Sequence, residues 1–242
     1  MRLLLLSTST VHGTNYLDYA QAHVRAFLGA GVKRVLFVPF ALHDRAAYAA
    51  KARERFERLG YGLDSLHEAA EQGRAAALAA IHGAEAVFTG GGNTFRLLEA
   101  LQRLELLAPL RARAQAGMPY MGASAGSNLA CPTLMTTNDM PIVQPQSFEA
   151  LGLVPFQINP HYLDPEPGSK HMGETREQRI REYHEMNERT VVGLREGGIL
   201  QRDGDRLKLI GQSGARVFRR GVEPVEFRPG DDLSALLQPA SC

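Results

Sequence analysis

The pentapeptide GASAG, Gly122 to Gly126, sets one serine between two small residues and two glycines. It matches G-x-S-x-G, the pattern of a nucleophile exposed on a sharp strand-to-helix turn. Such a turn strains the backbone at the serine, and bulky neighbours would clash there, so the chemistry itself requires small residues. The backbone N–H of Ala125 would then face a developing oxyanion at a helix N-terminus. The same residues also describe a tight glycine turn with no chemistry, so Ser124 needs partners.

A nucleophilic serine needs a base, and the base needs an orienting group. Among the eight histidines, His161 in QINPHYLD follows the strand-like run VPFQIN, where a loop should begin. His12, His23, His43, His67, His82, His171 and His184 lie in polar or helical contexts and read as surface or hydrogen-bonded core residues. Asp139 in TTNDMP and Glu196 in GLREGG are carboxylates near strand ends. Either would orient an imidazole, and either also suits a turn.

A second glycine-rich loop, GGGN from Gly90 to Asn93, follows a strand and opens a helix. It is neither G-x-x-x-x-G-K-[ST] nor G-x-G-x-x-G, the two nucleotide-binding patterns. Its N–H groups, those of Gly91 and Gly92, would complete an oxyanion hole, and Asn93 would cap the following helix.

The elements that must position these residues alternate. RLLLLST (2–8), VKRVLFVPF (32–40), YGLDSLH (61–67), AEAVFTGGG (84–92) and PYMGAS read as strands. Tyr16–Leu28, Ala46–Leu59, Ala69–Ile81 and NTFRLLEALQRL read as helices between them. Near-continuous apolar strands alternating with helices predict an α/β fold with a mostly parallel central sheet flanked by helices. Sites in such sheets form beyond the carboxyl ends of the strands, which places the loops after Val87 and Met121 together. The last third, with short strands broken by Gly-Gly, Asp203-Gly204 and Ser-Gly, predicts a C-terminal antiparallel extension. No repeat or linker divides the chain, so 1–242 reads as a single domain.

The 242 residues are 44% hydrophobic and 22% charged, with a net charge of +1, so no nucleic acid or membrane surface is indicated as partner. A negatively charged substrate must be met by a local cation. Two cysteines, Cys131 and Cys242, are too few for a disulfide framework and fit a reducing compartment. The leucine run near the start is too short for a signal-peptide core or a membrane span, so a cytoplasmic location is expected.

The sequence closely resembles the peptidase E (α-aspartyl dipeptidase) family of serine peptidases. The resemblance rests on LLLLSTST, VFTGGGNTFRLL, GASAGSNLACPTLMTTNDMPIV, FQINPHY, GETREQRIRE and VVGLREGG, which run in order along almost the whole chain. It implies a fold like that of class I glutamine amidotransferases, flavodoxin-like, with the elbow at the carboxyl edge of the sheet. It implies cleavage of dipeptides with an unblocked N-terminal aspartate, no metal or other cofactor, and a homodimer. It implies Ser124 as nucleophile and His161 as general base; Asp139 and Glu196 both match positions for the third member. Cys131 reads as a buried helix residue. The chain has no Trp, and Ala123 stands before the serine where Trp is common in the family.

An Asp-X dipeptide presents a β-carboxylate, which calls for a planar cationic fork, and an ammonium, which calls for an acceptor. Arg176 is the candidate fork. Thr175-Arg176-Glu177-Gln178 fits a capping box and sets Arg176 in the first turn of a helix, beside the free N–H groups. Arg179 and Arg181 share that helix, whose charges also read as a solvated face. Whichever of Asp139 and Glu196 does not serve the histidine is the candidate for the ammonium. Residues Tyr162 to Gly173 would supply a lid. Two alternatives are a cyanophycinase-like hydrolase of β-aspartyl-arginine linkages and a non-catalytic binding protein on the same scaffold.

Overall fold

The computed structural model describes residues 1–165, 168 and 173–238. Strand β1 (Arg2–Leu6) shows why the chain carries an unbroken leucine run. Leu3 and Leu5 enter one core and Leu4 and Leu6 another, all fully buried. Side chains alternate along a strand, so a strand covered on both faces is apolar at every position.

The next elements are α1 (Gln21–Leu28), β2 (Arg34–Val38), α2 (Arg45–Leu59), β3 (Gly62–Ser65), α3 (Leu66–Glu71) and α4 (Arg74–Gly83). They are followed by β4 (Val87–Thr89), α5 (Thr94–Arg103), α6 (Leu107–Gln115), β5 (Tyr120–Ala123) and α7 (Ala125–Leu129). The chain continues through β6 (Gln157–Pro160), α8 (Arg176–Met186), β7 (Val191–Leu194), β8 (Gly198–Asp203), β9 (Arg206–Gly211), β10 (Ala215–Arg219) and β11 (Val222–Phe227).

Five strands form a parallel sheet in the order β3-β2-β4-β5-β1, and the hairpin β8-β9 extends it antiparallel from β1. Helices α1 and α2 cover one face through Val24, Phe27, Ala52 and Phe56. Helices α4 to α7 cover the other through Ile81, Leu97, Leu101, Leu110 and Leu129. A mostly parallel central sheet between helices is the expected α/β class.

The C-terminal extension divides in two. Only β8 and β9 lengthen the central sheet; β10 and β11 join β7 and β6 in a second sheet, ordered β11-β10-β7-β6. In that sheet β6 and β7 run parallel, with Pro160 opposite Leu194. One face of the second sheet joins the main core through Ile158, Val192 and Leu194, and α8 covers the other with Ile180 against Val191 and Phe218.

Three local readings change. The helix expected over Tyr16–Leu28 begins only at Gln21. Leu17 has φ 58°, and its N–H donates to Ser9, so an apolar spacing that looks helical belongs partly to a packed turn. The helix expected over Ala69–Ile81 breaks between α3 and α4 at Gly73, whose φ is 112°. Cys131 is buried as expected but lies beyond the end of α7, and burial pushes its thiol up to about 12. Cys242 and half of the Tyr162–Gly173 lid segment lie outside the described residues.

Candidate active site

Strand β5 ends at Ala123 and α7 starts at Ala125, so the whole reversal falls on Ser124, with φ 51° and ψ −108°. The two flanking glycines answer to close packing. A Cβ on Gly122 would run into the carbonyl of Gly126, and a Cβ on Gly126 would run into the carbonyl of Thr89 at the end of β4. The pattern therefore records a helix pressed against two neighbouring strand ends. The Ser124 N–H donates to Leu6, and the Ser127 hydroxyl donates to Leu6 and Gly122, which tie the turn to β1 and β5.

The second glycine loop stands beside the first because β4 and β5 are parallel neighbours. Gly91 approaches so closely that its Cβ would lie 3.2 Å from the Ser124 Cβ. Gly92, at φ 131°, has its own Cβ position 2.7 Å from the carbonyl of Ala41. Gly90 and Asn93 spend their N–H groups on Val38 and Ala41. Among the described residues the N–H groups of Gly92 and Ala125 have no acceptor, and both belong to the loops that meet at Ser124. The Asn93 side chain accepts from the Arg96 N–H as the cap of α5, and its amide donates to Met140.

His161 and Glu196 come together through the second sheet. With Pro160 opposite Leu194, the residues just past these parallel strand ends are neighbours. His161 Nε2 is 2.9 Å from Ser124 Oγ, and Nδ1 is 2.7 Å from Glu196 Oε1. A carboxylate can only accept, so the ring proton sits on Nδ1 and Nε2 is left to accept from the serine hydroxyl. His161 also has a positive φ, 52°, and its N–H donates to the Ser7 hydroxyl at the end of β1. Ser7 in turn donates to Leu194, so one hydroxyl links three strand ends below the imidazole.

Asp139 is not at the imidazole. Its Oδ2 accepts from the Thr94 N–H at 2.7 Å, the Thr94 hydroxyl and the Thr137 hydroxyl, which makes it an anchor at the start of α5. The same loop holds β6: Thr136 donates to Ile158 and Asn138 to Pro160, directly before His161. Thr175 and Gln178 form the reciprocal capping box that sets Arg176 as first residue of α8. Arg176 is half-buried and makes no ion pair among the described residues. Burial and Arg179 lower its pKa from the usual guanidinium value, and the charge of Asp139 opposes that shift. Among the described residues no three of His, Cys, Asp and Glu gather into a set that could hold a metal ion. No described helix is long and apolar enough to cross a membrane.

A strained serine, an imidazole and a carboxylate in line, beside two unused backbone N–H groups, can carry out acyl transfer. The family model for peptidase family S51 matches residues 3–210, which include every one of these groups. The chain belongs to this peptidase family. It is a serine-type peptidase. It is 55% identical over 237 residues to a protein of Streptomyces coelicolor named "Peptidase E", covering 98% of this chain and 95% of that one. It is 45% identical over 238 residues to a Drosophila melanogaster protein named "Probable alpha-aspartyl dipeptidase", covering 98% and 97%. In the solved structure of a peptidase from an acI-B1 Actinobacterium the TM-score is 0.72 at 18% identity, covering 96% of each chain. At that identity the likeness concerns the fold.

In this peptidase the cleft at the serine also has walls that the motifs did not reveal. It encloses about 580 Å³ and is lined by Ser124, His161, Gly91 and Gly92 together with Thr8, Tyr16, His43, Tyr48 and Lys51. His43 read as a surface or hydrogen-bonded core histidine, and Tyr16 and Tyr48 fell within the expected helices Tyr16–Leu28 and Ala46–Leu59. Their signal in the sequence was only indirect. Loops that follow β1 and β2 must open at the same sheet edge as those after β4 and β5, because all four strands are parallel.

Proposed function

We propose that the protein is a serine exopeptidase that hydrolyses dipeptides with an unblocked N-terminal aspartate, through a Ser124–His161–Glu196 triad and an acyl-enzyme. The observation that carries this reading is the continuous hydrogen-bonded line from Glu196 Oε1 through the imidazole to Ser124 Oγ, at 2.7 and 2.9 Å. His161 removes the Ser124 proton and Ser124 attacks the aspartyl carbonyl. The N–H groups of Ala125 and Gly92 hold the oxyanion, the histidinium protonates the leaving amine, and water releases aspartate.

Arg176 takes the β-carboxylate. Its guanidinium, already half desolvated and in no ion pair among the described residues, leaves its charge for a ligand. Asp139, whose Oδ1 accepts no hydrogen bond among the described residues, takes the free ammonium beside it. The substrate is a small molecule, with no nucleic acid or membrane partner. A cytoplasmic homodimer formed from a single-domain chain over 1–242 completes the reading.

The test is release of a chromogenic amine from aspartyl-p-nitroanilide, with α-Asp-Leu and β-Asp-Arg assayed in parallel. The expected result is turnover of the anilide and of α-Asp-Leu, abolished in Ser124→Ala. Exclusive turnover of β-Asp-Arg, or equal activity in Ser124→Ala, overturns the proposal.

A further inference from the structure

The cleft beside Ser124 extends along one face of α2. Asp44, Ala47, Tyr48 and Lys51 all line it, at the spacing that keeps residues on one side of a helix. Lys51 is the single lysine or arginine among the described lining residues. Its Nζ lies 4.9 Å from the centre of the Tyr16 ring, on a neutral partner. The carboxylates around it are engaged elsewhere. Asp18 pairs with Arg55 at 2.9 Å, Glu54 pairs with Arg58, and Asp44 caps its own helix by accepting from Ala47. Among the described residues the ammonium makes no ion pair; Lys51 is exposed and lines both this cleft and the adjoining hollow with Asp18 and Glu54, so its charge is available to a ligand in the cleft.

The direction of the cleft decides what this charge meets. The group that protonates the leaving amine is His161, so the leaving residue must lie on the side of the serine that His161 lines. His161 and Lys51 both line this cleft, whereas Arg176 and Asp139 do not. Resting on the dipeptidase reading above, we infer that Lys51 binds the C-terminal carboxylate of the dipeptide, and so measures the substrate at one residue beyond the scissile bond. A dipeptide ends in a carboxylate at that point. A longer peptide carries a neutral amide there, which cannot form the charge-assisted contact.

The experiment compares α-Asp-Leu with its amide, α-Asp-Leu-NH2, and with aspartyl-p-nitroanilide, in the wild type, Lys51→Gln and Lys51→Arg. The wild type should prefer the free acid over the amide by about 10- to 100-fold in kcat/KM, the scale of one hydrogen bond to a charged group. Lys51→Gln should lose that preference, mostly through KM. It should keep wild-type turnover of the amide and the anilide, and Lys51→Arg should restore most of the preference. The wild-type ratio is itself a test that needs no variant. A wild type indifferent to the C-terminal charge overturns the inference, as does an unchanged preference in Lys51→Gln. Equal losses on all three substrates also overturn it, and place Lys51 on the aspartyl side chain instead. If the wild type cleaves none of the three, the dipeptidase reading has failed, which is a separate outcome.

Discussion

Ser124 and His161, whose Oγ and Nε2 are 2.9 Å apart, both hold a positive φ, 51° and 52°. Only two other non-glycine residues among those described do so, Leu17 and Glu105. The proposed nucleophile and its proposed base are thus both held in a conformation that L-residues avoid. The cost is of the order of 1 kcal/mol or more at each, met by packing elsewhere. Replacing Ser124 with glycine should separate the two consequences. Ser124→Gly should lose activity by at least about 10,000-fold and gain about 1 kcal/mol in stability. Ser124→Ala should lose the same activity with no such gain. Thermal melts beside the anilide assay check this, and a Ser124→Gly protein melting below wild type would contradict it.

The two carboxylates should part in kinetics. Glu196→Gln keeps the shape but favours the wrong imidazole tautomer, so kcat should fall by about 100- to 10,000-fold with a small change in KM. Asp139→Asn weakens the anchor at Thr94 and the charge beside Arg176. It should cost about 1 kcal/mol of stability and act mainly through KM. Steady-state kinetics with α-Asp-Leu distinguish these, and a larger kcat loss in Asp139→Asn would reverse the assignment.

Gly126 and Gly83 offer a paired test of why one glycine is required and another is not. Gly126→Ala has no room against Thr89, so it should destabilise by about 1–3 kcal/mol or more and disable the elbow. Gly83, at the end of α4, has nothing within 4 Å of its Cβ position. Gly83→Ala should be neutral or stabilising by up to about 1 kcal/mol. Denaturant midpoints measure both.

Ser7 forms no hydrogen bond with Ser124, yet its hydroxyl holds the His161 N–H and the Leu194 carbonyl. With the Tyr162 N–H still donating to the Leu194 carbonyl, Ser7→Ala leaves the His161 N–H without a partner. It should cost about 1–3 kcal/mol and lower kcat about tenfold through a loosened imidazole. Ser7→Thr should restore stability if the added methyl fits. An unchanged kcat in Ser7→Ala would show that His161 is held by Glu196 alone.

His184 is buried against the carbonyl of Arg189, and burial lowers its pKa below the usual histidine value, aided by Arg220. The unfolded chain therefore takes the proton first as pH falls. Stability from the neutral ring is whole above about 6.5 and is lost progressively below it. Between pH 7.5 and 5.5 the wild-type melting temperature should fall further than that of His184→Gln. Parallel falls in the two proteins would remove His184 as the cause.

Much of this was legible along the chain because it depends on local rules. The leucines of β1, the capping box at Thr175 and the Asn93 cap are written in spacing and side-chain chemistry. So is the elbow, whose glycines respond to contacts only a few residues away or on the adjacent strand. The parallel sheet followed from apolar strands alternating with helices. The start of α1 was misread because Tyr16 and Leu17 are buried by a turn that happens to continue the helical spacing.

What the sequence determined by itself was the kind of chemistry: a serine on a strained turn, a histidine at a strand end and two carboxylates able to serve it. Which carboxylate reaches the histidine was decided only in three dimensions. Asp139 and Glu196 have the same charge and similar loop settings, and nothing local separates them. The pairing of β6 with β7, with Pro160 opposite Leu194, brings Glu196 to the imidazole, while the Thr94 N–H and hydroxyl hold Asp139 at α5. The walls of the cleft were decided in the same way. Lys51 lines the same cleft as Ser124 because parallel strands open their loops at one edge, a relation of strand order that no spacing within α2 records.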